Sequence, residues 1–125
     1  DFHEALRLAD RMAIMRDGRI VQIGRPVDLI LNPVDDYIRE FTLDVPWETI
    51  LTAADIAEPS DEPLEGLGRV SEDTLIEKLL HYLGGSKRGV VVEAKDGSVL
   101  GVATARGVVK ALAVGSGSDT SSVKI

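Results

Sequence analysis

Apolar and polar residues change period along this chain, and each change marks an element. After Asp1 and Glu4, spaced as a capping box, Ala5, Leu6 and Leu8 predict a short helix over residues 1–9. A helix that short does not persist alone in water, so it needs a covering surface. Two apolar runs, 11–16 and 19–24, flank Asp17-Gly18. A primed turn needs positive φ, which Asp-Gly supplies, so this segment reads as a β-hairpin. Pro26 suits the first turn of a helix over 27–31, and Asn32-Pro33 stops it. A further helix follows over 35–41. Its Tyr37, Ile38 and Phe41 share one face, and its acids sit at the positive end of the dipole.

Residues 44–68 break this regularity with Pro46, Pro59, Pro63, Gly66 and Gly68. One helical patch is predicted at Ala53-Ala54-Asp55-Ile56, with Thr52 as its cap. Glu58, Asp61, Glu62 and Glu65 read as a solvated linker and not a cation site, since EF-hand spacing is absent. In the last third, Ser71 or Asp73 is expected to cap a helix running through Leu83. Leu75, Ile76, Leu79, Leu80 and Leu83 form its apolar face, and Gly84-Gly85 ends it. Residues 89–94 and 99–103 read as strands around a second turn, Asp96-Gly97. Thr104 caps a closing helix over Val108, Val109, Ala111 and Leu112. Residues 115–122 are a low-complexity stretch expected to be flexible. The fold class predicted is α+β, a helix-strand-hairpin-strand-helix unit behind a helix–β-hairpin–helix segment.

Composition narrows the classes. The 125 residues are 44% hydrophobic and 28% charged, as in ordinary globular chains. They suffice for one domain, or for a small domain with an appendage. No apolar run approaches the roughly 20 residues that span a bilayer, and no signal-peptide pattern opens the chain. Cysteine is absent, which removes disulfides, thiolate nucleophiles and zinc–thiolate sites. The net charge of −7 repels phosphate backbones, so a nucleic-acid partner is not expected. All bases before position 43 are arginine, whereas five of the eight after it are lysine, a shift that suggests two segments of different history.

Catalytic groups are sparse. His3 and His81 stand far apart, and no His-Glu-x-x-His spacing offers a metal site. His81 lies near the end of an amphipathic helix, where a structural role suffices. P-loop, nucleophile-elbow and dinucleotide motifs are missing. Arg106 and Lys110, four apart on one helix face, join Lys87 and Arg88 as cations near strand ends. Together they can meet a phosphate or stand as solvated charges. Trp47, after Pro46, reads as a packing residue at a domain junction rather than part of a ligand cage.

Two resemblances add to this. Residues 1–43, above all the stretch from Glu4-Ala5 through Ile23-Gly24, resemble the C-terminal end of an ABC-transporter ATP-binding subunit. Asp35-Asp36-Tyr37-Ile38-Arg39-Glu40-Phe41 is similar to the glycine betaine/proline (quaternary amine) importers among them. In that family the switch histidine immediately precedes an Asp matching Asp1, so His3 is not that residue. Residues from about 50 to 113 resemble one cystathionine-β-synthase (CBS) repeat. The stretches that carry this are Leu51-Thr52-Ala53-Ala54-Asp55-Ile56, Val70-Ser71-Glu72-Asp73-Thr74-Leu75, Val90-Val91-Val92 and the run from Asp96-Gly97 to Ala103-Thr104.

The resemblance implies an ATPase tail at 1–43, a linker with the first CBS helix at 44–68, a repeat core at 69–113 and a flexible tail at 114–125. It also implies a C-terminal fragment of a longer subunit. The Walker motifs, signature loop and switch histidine are absent, so no ATP hydrolysis is expected of this chain alone. CBS repeats pair, so a homodimer is expected, with a membrane permease as partner of the parent subunit. The location implied is cytoplasmic, peripheral to the inner membrane. An adenine nucleotide is the cofactor the repeat suggests. Thr104, Arg106, Lys110 and Arg88 are its candidate contacts, and no metal is expected. In nucleotide-binding repeats an Asp three residues after that Thr holds the ribose, whereas this chain has Gly107. Three roles follow as expectations: a regulatory and dimerisation region sensing ionic strength or a nucleotide, an adenosine-nucleotide or cyclic-dinucleotide module, and a purely structural dimerisation domain.

Overall fold

The computed structural model describes residues 2–115. Its elements are helix α1 (Phe2–Leu8), strands β1 (Met12–Arg16) and β2 (Arg19–Gly24), and helices α2 (Pro26–Leu31) and α3 (Asp36–Thr42). A turn of 3-10 helix (Trp47–Thr49) precedes α4 (Ala53–Ile56), β3 (Arg69–Ser71), α5 (Ile76–Leu83), β4 (Val90–Glu93), β5 (Val99–Ala103) and α6 (Ala105–Gly115). The chain is thus α+β with two small sheets. Two compact units partition it. One holds the residues up to Ile50 with those from Ala111 onward, and the other is Leu51–Lys110. Most of the segment expected as a tail, 116–125, lies outside the described residues.

In the first unit, β1 and β2 pair antiparallel around Asp17 and Gly18, both at positive φ (52° and 78°), as the primed turn requires. The register shifts between Ile14 and Met15, and Ile14 is the buried residue of β1. It packs with fully buried Leu29 and Ile38, flanked by Met12, Val21 and Tyr37. A second cluster joins Leu6, Ile30 and Val45, with Trp47 and Ile50 against it. Trp47 is therefore a packing residue of this unit. Asp35 caps α3 by accepting the Ile38 N–H at 2.9 Å.

The hairpin also holds the loop between α2 and α3. The Gln22 side chain donates to the Asn32 carbonyl and accepts the Val34 N–H, each at 3.0 Å. Pro33 cannot donate to the backbone here, so one amide side chain supplies both bonds.

The second unit is built on a sheet ordered β3-β4-β5, with β3 parallel and β5 antiparallel to β4. A parallel pair needs a crossover, and α5 provides it. β4 is central, and Val90, Val91 and Val92 are all buried, which explains a continuous apolar run where an edge strand would alternate. Ile76, Leu79 and Leu83 of α5 are buried, while Leu80 is about half exposed.

Two expectations need correction. Arg69–Ser71 is a strand, so Ser71 does not cap a helix. The α5 cap position is Leu75, without a side-chain cap, and Asp73 lies in the preceding turn. The Ser71 hydroxyl bonds both Asp73, to which it donates at 2.6 Å, and the Thr74 hydroxyl at 3.1 Å, and that local turn resembles a cap in sequence.

Candidate functional site

α4 starts at Thr52, the residue expected to cap it, and Asp55 three positions on holds it there. The Thr52 N–H and hydroxyl both donate to Asp55 Oδ2, at 2.8 and 3.1 Å. The chain then turns along β5. Glu58 forms an antiparallel bridge with Val102, N–H to carbonyl at 3.0 Å and carbonyl to N–H at 2.8 Å. Gly101 makes this approach possible, since a Cβ there would lie 2.7 Å from the Glu58 carbonyl oxygen.

Beyond Glu58 a cleft of about 360 Å³ opens, lined by Glu58, Pro59, Ser60 and Glu62 on one side and by Lys87, Arg88, Val102 and Thr104 on the other. Arg88 and Lys87 come from the loop between α5 and β4. Ser86 shapes that loop by donating to the Gly89 carbonyl at 2.7 Å and accepting its N–H at 3.1 Å. Gly89 itself takes φ +98°, and a Cβ there would collide with the Ala103 carbonyl oxygen. Thr104 sits at the start of α6, and its Oγ accepts the Gly107 N–H at 3.0 Å.

Of the four candidate contacts, Arg88 and Thr104 line this one cleft. Lys110 reaches it indirectly, as its ammonium lies 3.8 Å from Glu58 Oε1. Arg106, exposed on α6, is not among the lining residues. Glu58, Ser60 and Glu62 were missed because a run of acids and prolines carries no strand period. Glu62 lies 3.9 Å from the Arg88 guanidinium, which also donates to the Pro63 carbonyl. The cleft thus carries two cations and two carboxylates, all exposed, and is close to neutral.

Gly107 is accommodating. Its Cβ position would meet Thr104 Oγ at 3.4 Å and the Ile56 carbonyl at 3.5 Å, near ordinary contact. Two carboxyls elsewhere are held below the usual range. Asp73 is lowered chiefly by the Ser71 hydroxyl, and Asp96 by the Ser98 hydroxyl and N–H, at 2.6 and 2.9 Å. Both serve turns. His81 is exposed in the last turn of α5. Among the described residues no cluster of His, Asp or Glu could hold a metal, and no helix is long and apolar enough to cross a membrane.

Comparison with known proteins gives relatives that are ATP-binding proteins of transport systems. The chain is 40% identical over 102 residues to the trimethylamine N-oxide transport system ATP-binding protein of Pelagibacter ubique, covering 81% of this chain and 30% of that protein. It is 32% identical over 113 residues to the protein of the same name in Ruegeria pomeroyi, covering 90% and 32%. It is 43% identical over 60 residues to the glycine betaine/proline betaine transport system ATP-binding protein of Salmonella typhimurium, covering 48% and 15%. Alignments of 102 and 113 residues extend well past residue 43 and into the second unit. The chain spans less than a third of the length of these relatives. No family model and no solved structure matches it.

Proposed function

We propose, for a chain whose homologues are ATP-binding subunits of trimethylamine N-oxide and glycine betaine/proline betaine transport systems, that it is the C-terminal region of such a subunit in an osmoprotectant importer. The parent is a transport ATPase on the cytoplasmic side of the inner membrane, with a membrane permease as partner. Residues 51–125 regulate it and pair it with a second copy, in the manner of a CBS repeat. The single observation behind this reading is the length of the alignments, which ties the second unit to the same subunits as the first. The order helix, strand, helix, strand, strand, helix over residues 53–115 supports a CBS-like unit.

Ionic strength is the signal this region reads. Ion pairs among the described residues have both side chains at least a quarter exposed, within reach of salt. The test is transport by the intact importer, reconstituted in vesicles, across a salt series. Deleting residues 51–125 from the subunit is expected to abolish the salt dependence. An unchanged salt response in the deletion would refute the reading.

The cleft favours a second reading, a module for adenosine nucleotides or a cyclic dinucleotide, with Arg88 and Thr104 in its wall and Lys110 and Arg106 nearby. Thermal unfolding with AMP, ADP, ATP and cyclic di-AMP tests it, because a ligand that binds the folded state raises the melting temperature. Gly107→Asp is expected to strengthen any such shift, since a Cβ there stays near ordinary contact distance of its neighbours. If no nucleotide shifts melting, and melting depends on protein concentration, the role is structural dimerisation.

A further inference from the structure

Residues 59–66 form one wall of the cleft, yet little packing holds them. Residues 59–63, 65 and 66 are exposed, and only Leu64 is half-buried. Pro59 and Pro63 have no N–H to give, so the segment cannot extend the ladder that begins at Glu58. Its internal bonds are local: Glu62 N–H to Ser60 Oγ at 3.2 Å, and Leu67 N–H to the Leu64 carbonyl at 3.3 Å.

Its two ends, by contrast, are fixed. Glu58 is bridged to Val102 by two backbone bonds, and the Gly68 carbonyl accepts the Val91 N–H at 2.8 Å. Gly66, at φ +81° with open space around its Cβ position, supplies a pivot just before the second anchor. Between the anchors, among the described residues, Arg88 makes the side-chain ties to the sheet: the ion pair with Glu62 and the bond to the Pro63 carbonyl. Arg88 and Glu62 are 46% and 75% exposed.

We propose that residues 59–66 are a strap clasped by Arg88, and that rising ionic strength releases the clasp and opens the cleft. This deepens the ionic-strength reading above and rests on it. The anchors are hydrogen bonds, which salt does not screen. Of the two ties that make the clasp, the Arg88–Glu62 ion pair is exposed and screened by salt, since the Debye length falls from about 30 Å at 0.01 M to about 8 Å at 0.15 M, and its loss leaves the single bond to the Pro63 carbonyl. An exposed pair of this kind shifts an equilibrium about 1.4- to fivefold. The strap also carries Asp61, Glu62 and Glu65 and no cation of its own, and Lys87 on the facing wall is exposed, so salt screens its pull on the strap as well.

The absence of cysteine allows the motion to be measured directly in this chain. Spin labels at Asp61→Cys and Ala105→Cys report the strap-to-helix distance by pulsed electron resonance. From 10 mM to 500 mM NaCl, the long-distance fraction is expected to rise relative to the short one about 1.4- to fivefold. Sucrose at matched osmolality leaves it unchanged. Arg88→Gln gives the long distribution at both salts, and Glu62→Gln, which keeps the Pro63 bond, gives an intermediate one with a reduced salt response. A distance distribution that salt does not move, or an Arg88→Gln chain as salt-responsive as the parent, overturns the proposal. If Arg88→Gln does not fold, Glu62→Gln decides alone. Salt-dependent transport lost on deletion of 51–125, with an unmoving strap, would refute the strap and leave the proposed function standing.

Discussion

Replacing Gly101 with alanine puts one methyl group against the backbone of Glu58, where the chain bridges to β5. The new Cβ would lie 2.7, 2.9 and 3.1 Å from the oxygen, carbon and nitrogen of Glu58. All three are backbone atoms, so no side chain can swing away. The chain then has two responses. It can keep the Glu58–Val102 bridge and absorb the overlap, which costs about 1–3 kcal/mol as overpacking does in cores. Alternatively it can open the bridge and lose two hydrogen bonds, at about 0.5–1.5 kcal/mol each. Either route gives about 1–3 kcal/mol, with the strain of a side chain at φ +156° added to it. For a unit of some 60 residues, each 1 kcal/mol lowers the melting temperature by about 4–8 °C. The assay is thermal unfolding followed by circular dichroism, with two controls. Gly85→Ala has open space and no positive φ, so it reports the effect of alanine on the unfolded chain. Gly97→Ala has φ +88° but open space, so it reports backbone strain without crowding. Gly101→Ala is expected to melt well below Gly85→Ala. A melting temperature within a degree of that control would refute the close approach of Glu58 to β5.

Three further outcomes are expected. Asp55→Ala removes both bonds that hold Thr52 at the start of α4 and is expected to cost about 0.5–2 kcal/mol, with Asp55→Asn recovering part of it, as read by chemical denaturation. Gln22→Leu leaves the Asn32 carbonyl and Val34 N–H without their partner, and a loss of about 1–2 kcal/mol is expected, with faster amide exchange at Val34. Asp96 has a lowered folded pKa, so the stability it contributes is present above the ordinary value of 3.8 and is lost as pH falls through the carboxylate range. Ser98→Ala should raise the Asp96 titration midpoint in an NMR pH series and leave Asp73 unmoved.

The chemistry that sets the local elements was legible in the sequence because it acts over three or four residues. Asp17-Gly18 and Asp96-Gly97 set their turns, with Gly18 and Gly97 at positive φ. Asp35, the Thr52–Asp55 pair and Thr104 cap their helices through bonds to residues three positions away. The three consecutive valines of β4 read as a strand before any partner was known. The alternation of helix and hairpin therefore fixed the α+β class.

Tertiary structure decided what long-range partners make. β3 has only three residues, too few to show a period, and it becomes a strand because β4, some twenty residues on, offers a parallel edge. The Glu58–Val102 bridge is one residue on each side, joined across 44 positions, and no spacing rule reveals it. The same holds for Gln22, whose side chain serves a loop ten to twelve residues away, and for Arg88, whose partners lie in a stretch that reads as plain linker. Sequence thus determined the elements, the turn chemistry and the set of cations available to a site. Folding decided which of those cations share a cleft, because that depends on loop closure between distant segments, which leaves no periodic trace in the chain.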